Sequence, residues 1–324
     1  MCCNPITIID KETGEKRKVK CGKCILCRRK KCREWAIKLY HEGMYHKKMC
    51  MITLTFRPKF LLTPKIKKLK KIKSRRQNDG TTKKTTIEYT TMIGPHYIKN
   101  VKKTGWLITL FIKKLRKKLG NNYISYFAVG EHGTQNTHRA HWHILFFGID
   151  KSTLSAVSIG SSKKNKEIFW SSLIDELWSY DGMKIGMHTI SDVTGQTIKY
   201  VANYTMKKMY KDEKEIYPTT MRFSNQNKIG IKWARRFHKE LRKGYLIDQD
   251  QVKYSIPEQY LYEMKRYSSN LTNEPMTQTA MIIEENKEDN IIKMLENGML
   301  SEEEMKKKGK KYEIKYKKQE RDTF

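Results

Sequence analysis

The stretch YISYFAVGEHGTQNTHRAHWHILFF, residues 123–147, decides the fold. It contains two runs of strand type, Tyr123–Val129 and Arg139–Phe147, rich in aromatic and branched residues. The first runs into Gly130-Glu131-His132-Gly133, which reads as a turn, and the second stops at Gly148. Two such runs joined by a loop over 132–138 predict an antiparallel hairpin. Arg139–Phe147 is apolar on both faces beyond its histidines, so it belongs at the centre of a sheet. Flanking segments alternate between helix and strand, a pattern that alone would suggest a parallel sheet. The hairpin argues for an α+β fold with a mostly antiparallel sheet.

The same hairpin carries chemistry. Residues i and i+2 of a strand share a face, so His141 and His143 point the same way and Trp142 points to the other side. Two imidazoles side by side on a rigid strand are a divalent-metal chelate in waiting. A third ligand must come from a neighbouring element. If the two strands pair, Glu131 returns beside His141. His132 and His138 read as bystanders in the loop, with His132 the substitute for Glu131.

Working outward, Arg28 to about His46 has helical periodicity, with Trp35 and Leu39 on one face. Met49–Phe56 reads as a strand closed by Arg57-Pro58. Thr104–Leu119 is the clearest helix: Leu107, Ile108, Phe111, Ile112, Leu115 and Leu119 keep helical spacing, and Gly120 ends it. Residues 150–185 suggest a helix around Ile168–Trp178, Met187–Ile190 a short strand, and Thr194 to about Lys211 another helix. Beyond about 245 the chain is mixed-charge and helix-prone without a motif, and its last forty residues are expected to be partly disordered.

Residues 57–103 change character. Fifteen Lys or Arg face only Asp79 and Glu88 there. The segment reads as a mobile basic insertion, either a solvated surface loop or an arm that tracks DNA.

The helix after Thr194 holds Tyr200-Val-Ala-Asn-Tyr204-Thr-Met-Lys207-Lys208. At 3.6 residues per turn, Tyr200, Tyr204 and Lys207 lie close together, with Ile198, Ala202, Thr205 and Met209 opposite. The apolar side can dock while the tyrosines look outward. A phenol is a poor nucleophile at neutral pH, and an ammonium one turn away supports its charge. Two packed core tyrosines are the plainer reading.

Composition narrows the partner. The chain has 324 residues, with Lys+Arg 67 against Asp+Glu 34, a formal net charge of +33. Such an excess repels itself unless a polyanion is the usual partner, and nucleic acid leads. Apolar and aromatic residues make up 38%, enough for a core, so wholesale disorder is excluded. No run approaches the ~18 apolar residues of a membrane span. No signal-peptide layout is visible, so a soluble protein of the cytoplasm without a membrane partner is expected. The seven cysteines are odd in number, and five cluster at 2, 3, 21, 24 and 27. That spacing reads as metal ligation, with Cys21, Cys24 and Cys27 holding one structural Zn²⁺ and Cys2 or Cys3 supplying the fourth thiolate.

The motifs taken in order closely resemble the replication initiator proteins of gokushoviruses and related microviruses, small single-stranded DNA phages. The matching pieces are Cys2-x-x-Pro5, Cys21-Gly-Lys-Cys24-x-x-Cys27-Arg28, Trp35-Ala-Ile-Lys-Leu39 with Glu42, Met51-Ile-Thr-Leu-Thr55 and Leu110–Lys118. They continue with Tyr126-Phe-Ala-Val-Gly-Glu131-x-Gly133, Arg139-Ala-His141-Trp-His143 and Lys199-Tyr200-Val-Ala-Asn-Tyr204-x-x-Lys207-Lys208. That family belongs to the HUH endonucleases. The resemblance implies a sheet of about five strands with helices on one side. It also implies rolling-circle initiation, in which one origin strand is nicked, the protein stays attached through a 5′-phosphotyrosine, and the displaced strand is rejoined.

It further implies catalytic residues Tyr200, Tyr204 and Lys207, a Mg²⁺ or Mn²⁺ site at Glu131, His141 and His143, and Cys2 as the fourth zinc ligand. Arg28, Arg29, Lys113, Lys114, Arg116 and Lys208 are the candidate DNA contacts. The expected partners are viral origin DNA, single-stranded or supercoiled, and a host helicase and polymerase, all in the cytoplasm of a bacterial host. Two positions depart from the pattern: Asn203 stands where relatives often carry Lys, and His132 where Tyr is frequent. The expected organisation is a cysteine unit and helix at 1–47, an endonuclease domain at 48–245 with the insertion 57–103, and a tail at 246–324. An HUH relaxase or transposase, and a zinc-stabilised nucleic-acid-binding protein without activity, are the rival readings.

Overall fold

The computed structural model describes residues 2–10, 13–57, 60, 65–76, 82–93, 97–98, 102–120, 123–132, 140–162, 166–207, 220–225, 228–247, 253–270, 278–279, 281–283, 306–307 and 309–311. The chain opens with strands β1 (Ile6–Ile9) and β2 (Lys16–Val19), helix α1 (Ile25–Gly43) and strand β3 (Met49–Thr55). Strands β4 (Lys65–Arg76), β5 (Thr82–Ile93), β6 (Tyr97–Ile98) and β7 (Lys102–Lys103) lead into helix α2 (Thr104–Leu119). Next come β8 (Ser125–His132), β9 (Ala140–Phe147), β10 (Val157–Ser161), β11 (Glu167–Trp170), α3 (Ser172–Leu177), β12 (Ser179–Tyr180), β13 (Met183–Lys184) and β14 (His188–Asp192). The last described elements are α4 (Gly195–Lys207), β15 (Thr220–Phe223), α5 (Ile231–Arg236), β16 (Tyr245–Ile247), β17 (Lys253–Ser255) and α6 (Glu258–Asn270).

Two compact units divide the chain. One takes residues 49–192 and 211–223, and the other takes 1–48, 193–210 and 224–324.

In the first unit, seven strands among the described residues form a sheet in the order β10-β11-β14-β3-β9-β8-β15. Every neighbouring pair is antiparallel. The α+β expectation holds, with two more strands than the expected five. The histidine strand β9 lies inside the sheet, between β3 and β8. Alternation in β3 explains its orientation: Cys50, Ile52 and Leu54 are fully buried, and the residues between them are partly exposed. These three join Tyr126, Ala128, Trp142, Ile144 and Phe146 on one sheet face. Helix α2 covers that face with Leu107, Ile108, Phe111, Ile112 and Leu115, while Lys113, Lys117 and Lys118 remain exposed. Helix α3 adds Ile174 and Leu177 to the same cluster. Trp178 just beyond it donates its indole N–H to Thr55 O at 2.9 Å. Both helices of this unit therefore lie on the side away from the histidines.

Several boundaries differ from the sequence reading. The strand β8 runs on through Glu131 and His132, where the sequence predicts a turn. Pairing with β9 continues to His132↔Ala140, so the ladder overrides the local glycine signal. The expected helix Ile168–Trp178 is a strand followed by a short helix. Ser171 divides them because its hydroxyl accepts the Ile174 N–H and caps α3. The expected basic loop contains a two-stranded antiparallel ribbon, β4 with β5, in continuous register from Lys65↔Ile93 to Arg76↔Thr82.

In the second unit, α1 buries Ile25, Arg28, Cys32, Trp35 and Leu39, one stripe at spacings of three and four. Helix α4 carries a reciprocal cap: the Thr197 N–H donates to Thr194 Oγ1, and the Thr194 N–H donates to Thr197 Oγ1, both at 3.2 Å. Its buried residues Ile198, Val201 and Ala202 form the docking side. The Cys32 thiol of α1 reaches Ala202 O at 3.4 Å and Asn203 Oδ1 at 3.3 Å. A second core gathers Trp233, Leu241, Tyr260, Met264 and Ile283. The helix-prone reading of the C-terminal region captures α6 but misses the pair β16–β17.

Candidate functional site

The β8–β9 ladder places Glu131 directly opposite His141 and Val129 opposite His143. On the other side, β3 places Thr55 opposite His141 and Thr53 opposite His143. Because β-strand residues two apart share a face, Glu131, His141, His143, Thr53 and Thr55 all occupy positions on the face opposite Trp142. The two imidazole centroids are 5.0 Å apart, and the rings are nearly perpendicular at 83°. His143 is 8% exposed, and its Nδ1 lies 3.0 Å from Thr53 Oγ1. That contact fixes the ring and leaves Nε2 as the nitrogen directed to a ligand.

Gly130 makes the pairing feasible. A Cβ on it would come within 2.6 Å of the Trp142 ring, so only glycine lets the indole lie against β8. Thr53 and Gly130 are the two supporting residues that the sequence reading missed. Gly130 is visible as the glycine before Glu131, and Thr53 as an alternate residue of β3. Neither role is legible until the strand register is known.

Tyr200, Tyr204 and Lys207 all lie on α4. Tyr200 is 47% exposed on the side away from the buried Ile198, Val201 and Ala202. Asn203 is exposed as well.

The cysteines form the second centre. Sulfurs of Cys2, Cys21, Cys24 and Cys27 all lie within 4.8 Å of one another. Cys2 Sγ is 3.4 Å from Cys21 Sγ and 3.7 Å from Cys24 Sγ. These separations are too long for S–S bonds. They match four thiolates around one ion, since ligands at about 2.3 Å in a tetrahedron stand about 3.8 Å apart. The β1–β2 hairpin explains how a distant ligand arrives: Ile6 pairs with Val19, which folds the N-terminus back onto Cys21. Gly22, at φ +70°, turns the chain so that the N–H groups of Lys23 and Cys24 donate to Cys21 Sγ.

Burial opposes ionisation of Cys24. The N–H groups of Cys27 and Cys3 and the neighbouring thiols outweigh it and bring the thiol down to about 6. Burial pushes the Cys27 thiol up, helped by its bonds to Cys24 and Cys2. Cys3 is buried beside Cys24, and its thiol is pushed up to about 11, first by burial and then by Cys24. It stands outside the group of four mutually close sulfurs.

The candidate DNA contacts are dispersed. Arg28 is buried on the inner stripe of α1, which leaves it no open surface from which to meet a phosphate. Arg29 is partly exposed on the same helix. On α2, Lys113 is exposed, Lys114 Nζ donates to Ser179 O at 2.8 Å, and Arg116 donates to Ile124 O at 2.6 Å. Arg116 also lies over the Tyr126 ring at 5.7 Å. Lys208 lies outside the described residues, as do His138 and Arg139.

Comparison with known proteins agrees with the resemblance seen in the motifs. Residues 96–209 match a family model of phage replication-associated proteins, the one described by the name ORF2. This segment runs from just before α2 through the histidine pair to the end of α4. Over 251 residues, the chain is 25% identical to the replication-associated protein VP4 of Bdellovibrio phage phiMH2K, covering 74% of this chain and 65% of that protein. Over 169 residues it is 32% identical to the replication-associated protein ORF2 of Spiroplasma virus 4, covering 49% and 50% respectively. The chain thus spans between half and two thirds of the length of these curated relatives. No solved structure matches it significantly. These findings support a phage replication protein of the rolling-circle initiator kind. No helix among the described residues is long and apolar enough to cross a membrane.

Proposed function

We propose that the chain nicks one strand of a phage DNA origin through a tyrosine and rejoins the displaced strand, as an initiator of rolling-circle replication in the host cytoplasm. The observation that carries this reading is the register Glu131↔His141, with His143 two residues on, inside the segment related to replication-associated proteins. The relatives' role in replication and the charge of +33 supply origin DNA as the substrate. A host helicase and polymerase complete the reaction.

The donor set suits a hard, exchangeable divalent ion. Two imidazoles share a sheet face, one is fixed by Thr53, and a carboxylate residue stands at the facing register position. Glu131, His141 and His143 would hold Mg²⁺ or Mn²⁺, which when bound polarises a phosphoryl oxygen as a Lewis acid. The four cysteines have the closed geometry of a structural Zn²⁺ site.

In the reaction, the oxygen of Tyr200 or Tyr204 attacks phosphorus. The P–O3′ bond breaks, the 3′ oxygen takes up a proton and the phenolic proton is lost. The 5′ phosphate stays on the protein as a tyrosyl ester, which keeps the bond energy for rejoining. Lys207 supports the developing phenolate. A second tyrosine one turn away can attack a second phosphate before the first ester is resolved.

The test compares the native chain with His143→Ala on a random-sequence single-stranded DNA pool with Mn²⁺. The expected result is a covalent protein–DNA band under denaturing conditions for the native chain only, with an equal salt-sensitive mobility shift for both. Equal adduct from both proteins removes the metal assignment. A shift without any adduct from the native chain supports the rival reading of a zinc-stabilised binding protein.

A further inference from the structure

We propose that the β4–β5 ribbon is a duplex-DNA binding element that presents one of its two faces to the phosphates. The proposal rests on the functional reading above only for its choice of DNA as the polyanion.

The ribbon comprises two twelve-residue strands, and among the described residues it pairs with no other strand. An isolated two-stranded ribbon is marginal in water, because it has too little partner surface to bury. This one also carries ten cations, Lys65, Lys67, Lys68, Lys70, Lys71, Lys73, Arg75, Arg76, Lys83 and Lys84, against the single acid Glu88.

Register sorts those charges. Side chains alternate between faces, so Lys65, Lys67, Leu69, Lys71, Lys73 and Arg75 occupy positions on one face. Their cross-strand partners are Ile93, Thr91, Tyr89, Ile87, Thr85 and Lys83. That face has six cation positions and no acid. The other face has Lys68, Lys70, Arg76 and Lys84, with Glu88 directly opposite Lys70. Six like charges on one face repel one another, and a polyanion relieves that cost.

Spacing identifies the partner. Same-face positions recur about every 6.7 Å along a strand, close to two phosphate steps of about 3.4 Å along one DNA strand. Twelve residues span about 40 Å, a little more than one duplex turn of about 34–36 Å. The major groove is wide enough to admit a two-stranded ribbon. The ribbon thus fits along a duplex, a regular array of charge, better than along a coiling single strand.

The experiment is lysine footprinting of the full native chain. The protein is acetylated with an amine-reactive ester, alone and with a 40-base-pair duplex of arbitrary sequence, and modification is read at each lysine by mass spectrometry. Lys65, Lys67, Lys71, Lys73 and Lys83 should be protected at least fivefold more than Lys68, Lys70 and Lys84. Equal protection on both faces, or none on either, overturns the proposal. Stronger protection by a single strand of the same length overturns the choice of duplex.

A paired set of variants gives an independent reading. Lys65, Lys67, Lys71 and Lys73 changed together to Gln should flatten the salt slope of duplex binding by about 3–4, as expected for four lost phosphate contacts. Changing Lys68, Lys70, Arg76 and Lys84 to Gln removes the same charge and should flatten it by less than 1. Equal slopes count against the face assignment. Neither measurement requires strand cleavage. Loss of the covalent adduct with face-selective protection retained would remove the nicking function and leave the ribbon's role standing. The converse result would do the opposite.

Discussion

Thr53 Oγ1 stands 3.0 Å from His143 Nδ1, across the strand pair that makes Thr53 the register partner of His143. A threonine hydroxyl at this position fixes both the ring angle and the tautomer. With Nδ1–H donating to Oγ1, the Nε2 lone pair is directed to a metal.

Removing that support should weaken the ion without unfolding the sheet. Thr53→Val is expected to reduce Mn²⁺ affinity about 10–100-fold, the usual effect of deleting a ligand's orienting partner. Thr53→Ser keeps the hydroxyl and should restore affinity. Calorimetric titration of Mn²⁺ checks both, and unchanged affinity in the valine variant would remove Thr53 from the site.

The cysteine centre makes a discriminating prediction about neighbouring residues. Protein purified under reducing conditions should carry about one zinc per chain by elemental analysis. Cys2→Ser should lose it and melt at a clearly lower temperature, because metal binding is part of the folding free energy. Cys3→Ser should keep it, because Cys3 lies outside the four close sulfurs. Loss of zinc in the Cys3 variant alone would reverse the assignment.

Acid should destabilise the fold through two buried histidines. Burial holds His41 down at about 3, where it stacks on Trp233 at 3.6 Å. His188 is held at about 4, by burial first, with Asp175 and the Ser171 N–H opposing the shift. Both are neutral in the fold, whereas the unfolded chain takes up a proton near pH 6.5. Stability from this source is therefore complete above about pH 6.5 and is lost as pH falls towards 4 and then 3. Thermal melts of the native chain between about pH 7 and 4 should show falling midpoints. His188→Gln should flatten part of that decline while lowering the midpoint at about pH 7. An identical pH profile in the variant would argue against His188 as a contributor.

The parts of the molecule that sequence reading recovers share one property, strong local periodicity. Helix α2 is legible from end to end, because its apolar stripe and the closing Gly120 agree. The Glu131–His141 partnership is legible because a short hairpin leaves few registers open, and the observed ladder selects the one that pairs them. Cys2 needs the β1–β2 hairpin to reach Cys21, a fold-back that the chain's resemblance anticipates and its local pattern does not. The β4–β5 ribbon is hidden because Ile66, Leu69 and Ile72 recur every three residues among lysines, which masks the period of two. The available signal is Asp79-Gly80 between two strand-length runs, a hairpin dipeptide. Ile168–Trp178 misleads in the opposite direction, since only the Ser171 cap divides strand from helix.

The central claim is that Tyr200 and Tyr204 are interchangeable nucleophiles, and mass-spectrometric mapping of the tyrosine attached to DNA tests it most directly. The native chain, Tyr200→Phe, Tyr204→Phe and the double variant are each incubated with the single-stranded pool and Mn²⁺, digested, and searched for nucleotide-bearing peptides. The account predicts adducts on both tyrosines in the native chain, on the remaining tyrosine in each single variant, and on neither in the double variant. Adduct confined to one tyrosine, or any adduct surviving in the double variant, would contradict it.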